Sequence, residues 1–222
     1  MKKKTIALAL VLVMVFGATL GGTFAYLTST DEVVNTFTVG NVQIKLDEAK
    51  VNLYGEPVNT AGQTKAEYLA EGNTEDGWVP ARANGNEYKL LPGHTYTKDP
   101  TIYVDANSED AWLFVKVENG ISDIEANGNT TIVNQMAANW TRVSGTTNIY
   151  AYNAMVSKTN TIKVFDNFKI ADNADIANYA TEKNNDGTIK AGATNLIKIT
   201  AYAIQADGFT TAADAWDAAK LG

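Results

Sequence analysis

Ala111–Glu118, AWLFVKVE, constrains this chain more than any other stretch. Trp112, Phe114 and Lys116 fall on one face of an extended segment; Leu113, Val115 and Val117 fall on the other. A strand apolar on both faces at its start belongs in the middle of a sheet. The rest of the chain must therefore supply neighbours on both sides. Asn195–Gln205 (NLIKITAYAIQ) is a long β run. Trp140–Val143 and Asn148–Tyr152, joined through Ser144–Gly145, predict an aromatic hairpin. Thr159–Ile170 predicts a further strand. His94–Val104 predicts another, following the Pro92–Gly93 turn, with Pro100 restricting it to an edge or a bulge. Asp105–Asp110 is a polar turn between strands.

Helix signals are few. Residues 55–87 are rich in Gly, Asn, Thr and Glu and read as a loop insertion. Within it Lys65–Glu71 predicts two turns of helix, and Trp78, Val79 and Pro80 pin the loop to the body. Ala174–Thr181 predicts a short helix. At the end, Thr211 caps a helix over Ala212–Leu221, with Asp214 three residues on in the place of a capping-box partner. Several short strands, turn clusters between them and little helix predict an all-β, antiparallel β-sandwich with short peripheral helices and a C-terminal helix.

The amino terminus reads as a targeting segment. Lys2, Lys3 and Lys4 precede an apolar run from Ile6 to Leu20, and small residues follow up to Ala25. This is the pattern of a cleaved secretory signal. The run is shorter than the ~20 apolar residues that span a bilayer. The expected cut lies between Ala25 and Tyr26, giving a signal peptide over 1–25 and a single domain over 26–222. The lysines leave with the signal, so 15 basic groups face 25 acidic ones, a net of −10. That balance argues against nucleic acid and against anionic membranes as partners. The chain has no cysteine, so no disulfide stabilises it even though an exported compartment permits them.

After the cut comes a short polar arm, Tyr26–Asn35 (YLTSTDEVVN). Alternation then begins. Phe37 and Val39 share one face, Thr36 and Thr38 the other. Past Gly40 the apolar set changes phase to Val42, Ile44 and Leu46. A one-residue slip flips every side chain across a sheet, so a bulge or kink at Gly40–Asn41 is expected within a strand over about 35–47. The half before the bend suits a mobile donor segment; the half after it suits a fixed core strand.

Three stretches carry a family resemblance: Gly22–Val42 (GTFAYLTSTDEVVNTFTVGNV), Lys89–Val117 (KLLPGHTYTKDPTIYVDANSEDAWLFVKV) and Ile199–Trp216 (ITAYAIQADGFTTAADAW). They are similar to the TasA/camelysin family of secreted proteins, whose signal peptides are cut by a dedicated signal peptidase of the SipW type. Together they cover about a third of the chain. One step departs from the family pattern: Thr30 follows Ser29 and Asp31 comes next, displacing the usual Thr-Asp pair. The resemblance implies a jelly-roll-like sandwich at the cell surface or in the biofilm matrix. It also implies extracellular fibres in which the amino-terminal segment of one subunit completes a sheet of the next, with accessory matrix proteins as further partners. Members named camelysin are described as casein-cleaving metalloendopeptidases.

The residues for such a peptidase are thin. His94 is the single histidine, it sits by the Pro-Gly turn, and no H-E-x-x-H is present. Zinc catalysis draws on imidazole, thiolate and carboxylate ligands around an activated water. Ser108, Ser122, Ser144 and Ser157 lie in polar turns, without a G-x-S-x-G elbow. Asp105, Asn107 and Glu109 place oxygen ligands at alternate positions of a loop, which suits calcium, although Asp110 stands where an EF-hand loop has glycine and surface turns share this composition. Asp172, Asn173 and Asp175 are a weaker set of the same kind. Trp112, Trp140, Tyr150, Tyr152 and Trp216 suit a sandwich core better than a sugar-binding face.

The expected function is therefore structural: a secreted fibre subunit whose segment Asn35, Thr36, Phe37, Thr38, Val39 and Gly40 adds as a strand to the next copy. A secreted metalloendopeptidase and a monomeric surface adhesin or carbohydrate-binding module are the alternatives.

Overall fold

The computed structural model describes residues 41–179, 184–186, 190–191, 193 and 195–219, all within one compact unit, Gly40–Gly222. Ten strands and three α-helices run in the order β1 (Ile44–Ala49), α1 (Lys65–Ala70), β2 (Arg82–Ala83), β3 (Thr95–Thr97), β4 (Thr101–Val104), β5 (Ala111–Asn119), α2 (Ile132–Met136), β6 (Trp140–Arg142), β7 (Ile149–Tyr152), β8 (Thr161–Lys163), β9 (Asn167–Lys169), β10 (Ile197–Gln205) and α3 (Ala212–Ala219). They make three open sheets, ordered β2-β1-β4-β8, β10-β5-β7-β6 and β3-β9. Every ladder is antiparallel.

This corrects the all-β, jelly-roll-like sandwich. The architecture is mixed α/β, and among the described residues no sheet closes on itself or on another. Two expected long strands are the reason. His94–Val104 breaks into β3 and β4, and Thr159–Ile170 breaks into β8 and β9. The breaks face each other. Tyr96 opposes Phe168 and Ile102 opposes Ile162, so both short ladders keep one register. Across the gap Lys98 N donates to the Asp166 carbonyl and Val164 N to the Pro100 carbonyl. Pro100 has no N–H to offer, and the Asp99 side chain turns away to accept from Ala49 N at 2.6 Å.

β5 lies where its two-faced pattern requires, between β10 and β7. Leu113, Val115 and Val117 enter the larger core with Tyr96, Ile102, Ile132, Met136, Trp140, Phe168 and Ile170. Phe114 and Trp112 face a second, smaller core beneath α3, where Trp216 packs on Phe114 at 5.0 Å and on Tyr202 at 5.9 Å. Of the five aromatics expected in the core, Trp140, Tyr150 and Trp216 are buried, while Trp112 and Tyr152 are only partly buried against it. Tyr96 stacks on Phe168 at 4.9 Å. A Cβ on Gly55 would come within 2.7 Å of the Tyr96 backbone, and its φ of +79° is itself a glycine conformation.

The caps explain the helices. Thr211 and Asp214 form the reciprocal box, with Asp214 N donating to Thr211 Oγ1 and Thr211 N to Asp214 Oδ2, both at 3.2 Å. Thr64 and Glu67 do the same for α1, and Thr131 caps α2. Residues 55–87 are tied to β1 by the β2 ladder, by the Val51–Pro57 bridge and by the Lys50 N to Ala81 carbonyl bond. Ala174–Tyr179, the described part of the expected Ala174–Thr181 helix, forms turns instead.

Candidate functional site

Two features stand out: an open sheet edge and a buried charged cluster beside β1. The open edge is β10. It spans nine residues and, among the described residues, pairs only with β5. Ala206 N donates to the Asp110 carbonyl and Gly120 N to the Leu196 carbonyl, which fixes the ladder's parity. Even-numbered β10 residues turn their N–H and C=O toward β5; Ile197, Ile199, Ala201, Ala203 and Gln205 turn theirs outward. Ile197, Ile199, Ala201 and Ala203 are partly buried against the larger core, and Lys198 is the only charge on the strand.

The charged cluster sits at the other sheet. Asp47 and Glu48 are buried on β1, and Lys98 is buried in the β3–β4 break. Arg82 Nε donates to Asp47 Oδ1 at 2.7 Å and its Nη1 to Asp99 Oδ2 at 3.0 Å. Lys45 reaches Asp47 Oδ2 at 2.8 Å. Burial pushes the Asp47 carboxyl up, but hydrogen bonds from Lys45 and Arg82 and their positive charges outweigh it and hold it below the usual range. Lys98 Nζ meets Glu48 Oε2 at 2.7 Å, and Asn86 Nδ2 meets Glu48 Oε1 at 2.9 Å. Their sequence positions gave no hint of this meeting; only the β1–β2 and β1–β4 ladders bring 48, 86 and 98 together.

Comparison with protein-family models, curated proteins and solved structures finds no match.

The residues expected to matter from the sequence fall in three places. Ala25, Tyr26 and Asn35–Gly40 lie outside the described residues. Asp105, Asn107 and Glu109 occupy the β4–β5 turn. There Asp105 Oδ1 accepts from Asn107 N at 2.8 Å and from Asn107 Nδ2 at 3.2 Å, so the turn is held by its own side chains. Among the described residues no group of three or more His, Asp or Glu side chains is gathered to hold a metal. The turn also grips the first described residues: Asp105 N donates to the Gln43 carbonyl, Glu109 N to the Asn41 carbonyl, and Gln43 N to Ser108 Oγ. His94, half-buried, meets the Tyr54 carbonyl through Nε2 at 2.8 Å and packs on Tyr96 at 4.5 Å, which gives it a structural position.

Proposed function

We propose that this chain is a secreted subunit of extracellular fibres of the TasA/camelysin kind, assembled by strand addition. Cleavage after Ala25 by a SipW-type peptidase frees the arm, and the segment Asn35–Gly40 of one copy pairs with a sheet edge of the next. The single observation that carries the reading is the nine-residue edge of β10. Soluble proteins protect such edges with short strands, charges or proline. The other outer strands obey that rule: β2 has two residues, β6 and β8 three each. β10 does not.

An incoming strand gains backbone hydrogen bonds from the five outward-facing residues, and its alternate side chains set the register. Phe37 and Val39 then cover the partly buried Ile199 and Ala201 row. The β4–β5 turn holds Asn41 and Gln43, the first described residues after the arm in the chain. Addition of this kind is head-to-tail, so it yields filaments rather than closed rings. Before cleavage the arm is tethered to the signal, which holds polymerisation back.

Light scattering and electron microscopy on the mature chain test this reading. The chain beginning at Tyr26 should form fibres, and the same chain lacking Tyr26–Gly40 should stay monomeric. Normal fibres from the truncated chain would sink the proposal.

A further inference from the structure

The buried contact among Lys98, Glu48 and Asn86 has the parts of a covalent cross-linking site. Lys98 and Glu48 are buried, 7% and 5% exposed, and one Glu48 oxygen holds the amine at 2.7 Å while the other holds the Asn86 carboxamide nitrogen at 2.9 Å. A single carboxylate therefore bridges a nucleophile and an amide leaving group. The carboxamide cannot rotate freely. Its Nδ2 also donates to the Ala49 carbonyl at 2.8 Å, and its Oδ1 accepts from Val51 N at 2.9 Å. The surroundings are aromatic: the Tyr88 ring lies 5.9 Å from Lys98 Nζ and meets Tyr96 and Phe168 edge-on. Burial, and then the Glu48 charge, push the Tyr88 hydroxyl strongly up, as a site shielded from water requires.

We propose that Lys98 Nζ and Asn86 Cγ join in an intramolecular isopeptide bond, with Glu48 carrying the protons. Glu48 first takes a proton from the Lys98 ammonium, leaving a neutral amine in a desolvated site, where lysine becomes a nucleophile. The amine lone pair adds to Asn86 Cγ, and the carbonyl pair moves onto Oδ1. Val51 N–H already donates to that oxygen and stabilises the negative charge there. The attacking nitrogen passes its surplus proton to Nδ2, the Cγ–Nδ2 bond breaks and the carbonyl reforms. Ammonia departs with the proton Glu48 had taken, as ammonium, and the carboxylate is restored. Nothing is oxidised or reduced, and no co-reactant enters. The bond locks the end of the 55–87 loop to the β3–β4 break across β1. It gives a chain without cysteine a covalent brace that reduction does not open. This holds whether or not the chain forms fibres.

Intact-mass spectrometry of the purified mature chain is the test. The folded protein should be lighter than its sequence by one ammonia, and Lys98→Arg and Glu48→Gln should have full mass. Trypsin should then fail to cut after Lys98 and should release Ala83–Lys89 joined to Leu90–Lys116. A succinimide at Asn84–Gly85 loses the same mass but leaves Lys98 cleavable, so the digest separates the two. Lys98→Arg keeps the charge beside Glu48, so a full-mass, natively folded Lys98→Arg isolates the bond from the ion pair. Full mass in the wild-type chain after prolonged incubation, or the deficit persisting in Lys98→Arg, would overturn the proposal.

Discussion

The two four-stranded sheets treat their edges in opposite ways. In β2-β1-β4-β8 the outer strands are two and three residues long, and the strand behind β2 is sealed by charge: Arg82, Asp47 and Asp99 interlock at 2.7 and 3.0 Å, while Lys98 and Glu48 close the far end. In β10-β5-β7-β6 one outer strand runs nine residues with a single lysine. Both sheets draw on the same larger core. The contrast teaches that, among the described residues, edge protection is local and is withheld at β10. It is withheld where the sheet is best supported from beneath, since β5 holds β10 along its whole length. An edge without a described partner, on a support of this length, can take an added strand without the subunit unfolding.

The largest expected effect tests that support. Trp216 is the aromatic anchor of α3 on the face of β10-β5 away from the larger core. Trp216→Ala removes its contacts with Phe114 and Tyr202 and should cost about 3–5 kcal/mol, as for other buried aromatic truncations. Urea denaturation followed by far-ultraviolet circular dichroism measures it. A loss under about 1 kcal/mol would mean that the smaller core contributes little to β10.

The sealed side should be equally sensitive to a single charge. Measured in an Asn86→Ala background, which cannot form the Lys98–Asn86 bond, Lys98→Ala leaves Glu48 buried without its ammonium and should cost about 3–5 kcal/mol. Replacing both by Met should recover most of that loss, because the remaining carboxylate is gone. If the double variant is no more stable than Lys98→Ala, the pair is not the unit that seals the strand.

Two adjacent proline substitutions separate the edge from the ladder. Ala201 turns its N–H outward and Thr200 turns its N–H to β5. Ala201→Pro should fold with little change in stability yet lose fibre growth, because a proline fits an edge position and blocks an incoming strand. Thr200→Pro should destabilise the monomer itself by breaking a ladder bond. Thermal melts and light scattering read both. Fibres from Ala201→Pro would remove β10 as the acceptor while leaving the arm reading to its own truncation test.

How far the sequence carried these features follows from range. β5, β10, the β6–β7 hairpin and the α3 cap were legible because each is encoded within one segment: two-faced apolarity, a long β run, a Ser-Gly turn, a Thr with Asp three residues later. The Thr64–Glu67 capping box that defines where α1 begins was not read from the sequence, in which only the helix over Lys65–Glu71 was legible. The sandwich was not correct, since alternation marks a strand without saying where its ladder stops. Pro100 signalled an irregularity, but the matching break at Val164–Asp166 follows only from the pairing of the two segments. Ala174–Tyr179 has only two strong helix formers, Ala174 and Ala177, and Asp175 accepts from Ala177 N and holds a turn there. The Glu48–Asn86–Lys98 contact was out of reach, because its members lie 38 and 50 residues apart from Glu48.

Acid should weaken the sealed side through Asp47. Its folded carboxyl titrates below the ordinary range near 4, so the stability it contributes is full above that value and is lost as pH falls through the lower folded value. Asp47→Asn should flatten the acid limb of the urea midpoint measured from about pH 5 downward. An unchanged acid limb would assign the loss to other carboxylates. The effect is modest beside Lys98→Ala, because Arg82 keeps Asp99 as a second partner.

The smallest expected effect lies at the exposed start of α3. Thr211 Oγ1 accepts from Asp214 N and donates to Asp214 Oδ2, so Thr211→Ala removes both interactions. The expected cost is about 1 kcal/mol, the usual value of a lost N-cap. The helix should remain docked, because Ala215 and Trp216 stay buried against Phe114. A loss as large as that of Trp216→Ala would place the attachment of α3 in its cap rather than in its packing. The open sheet would then owe its rigidity to a surface hydrogen bond, and its edge would fray as that helix frays.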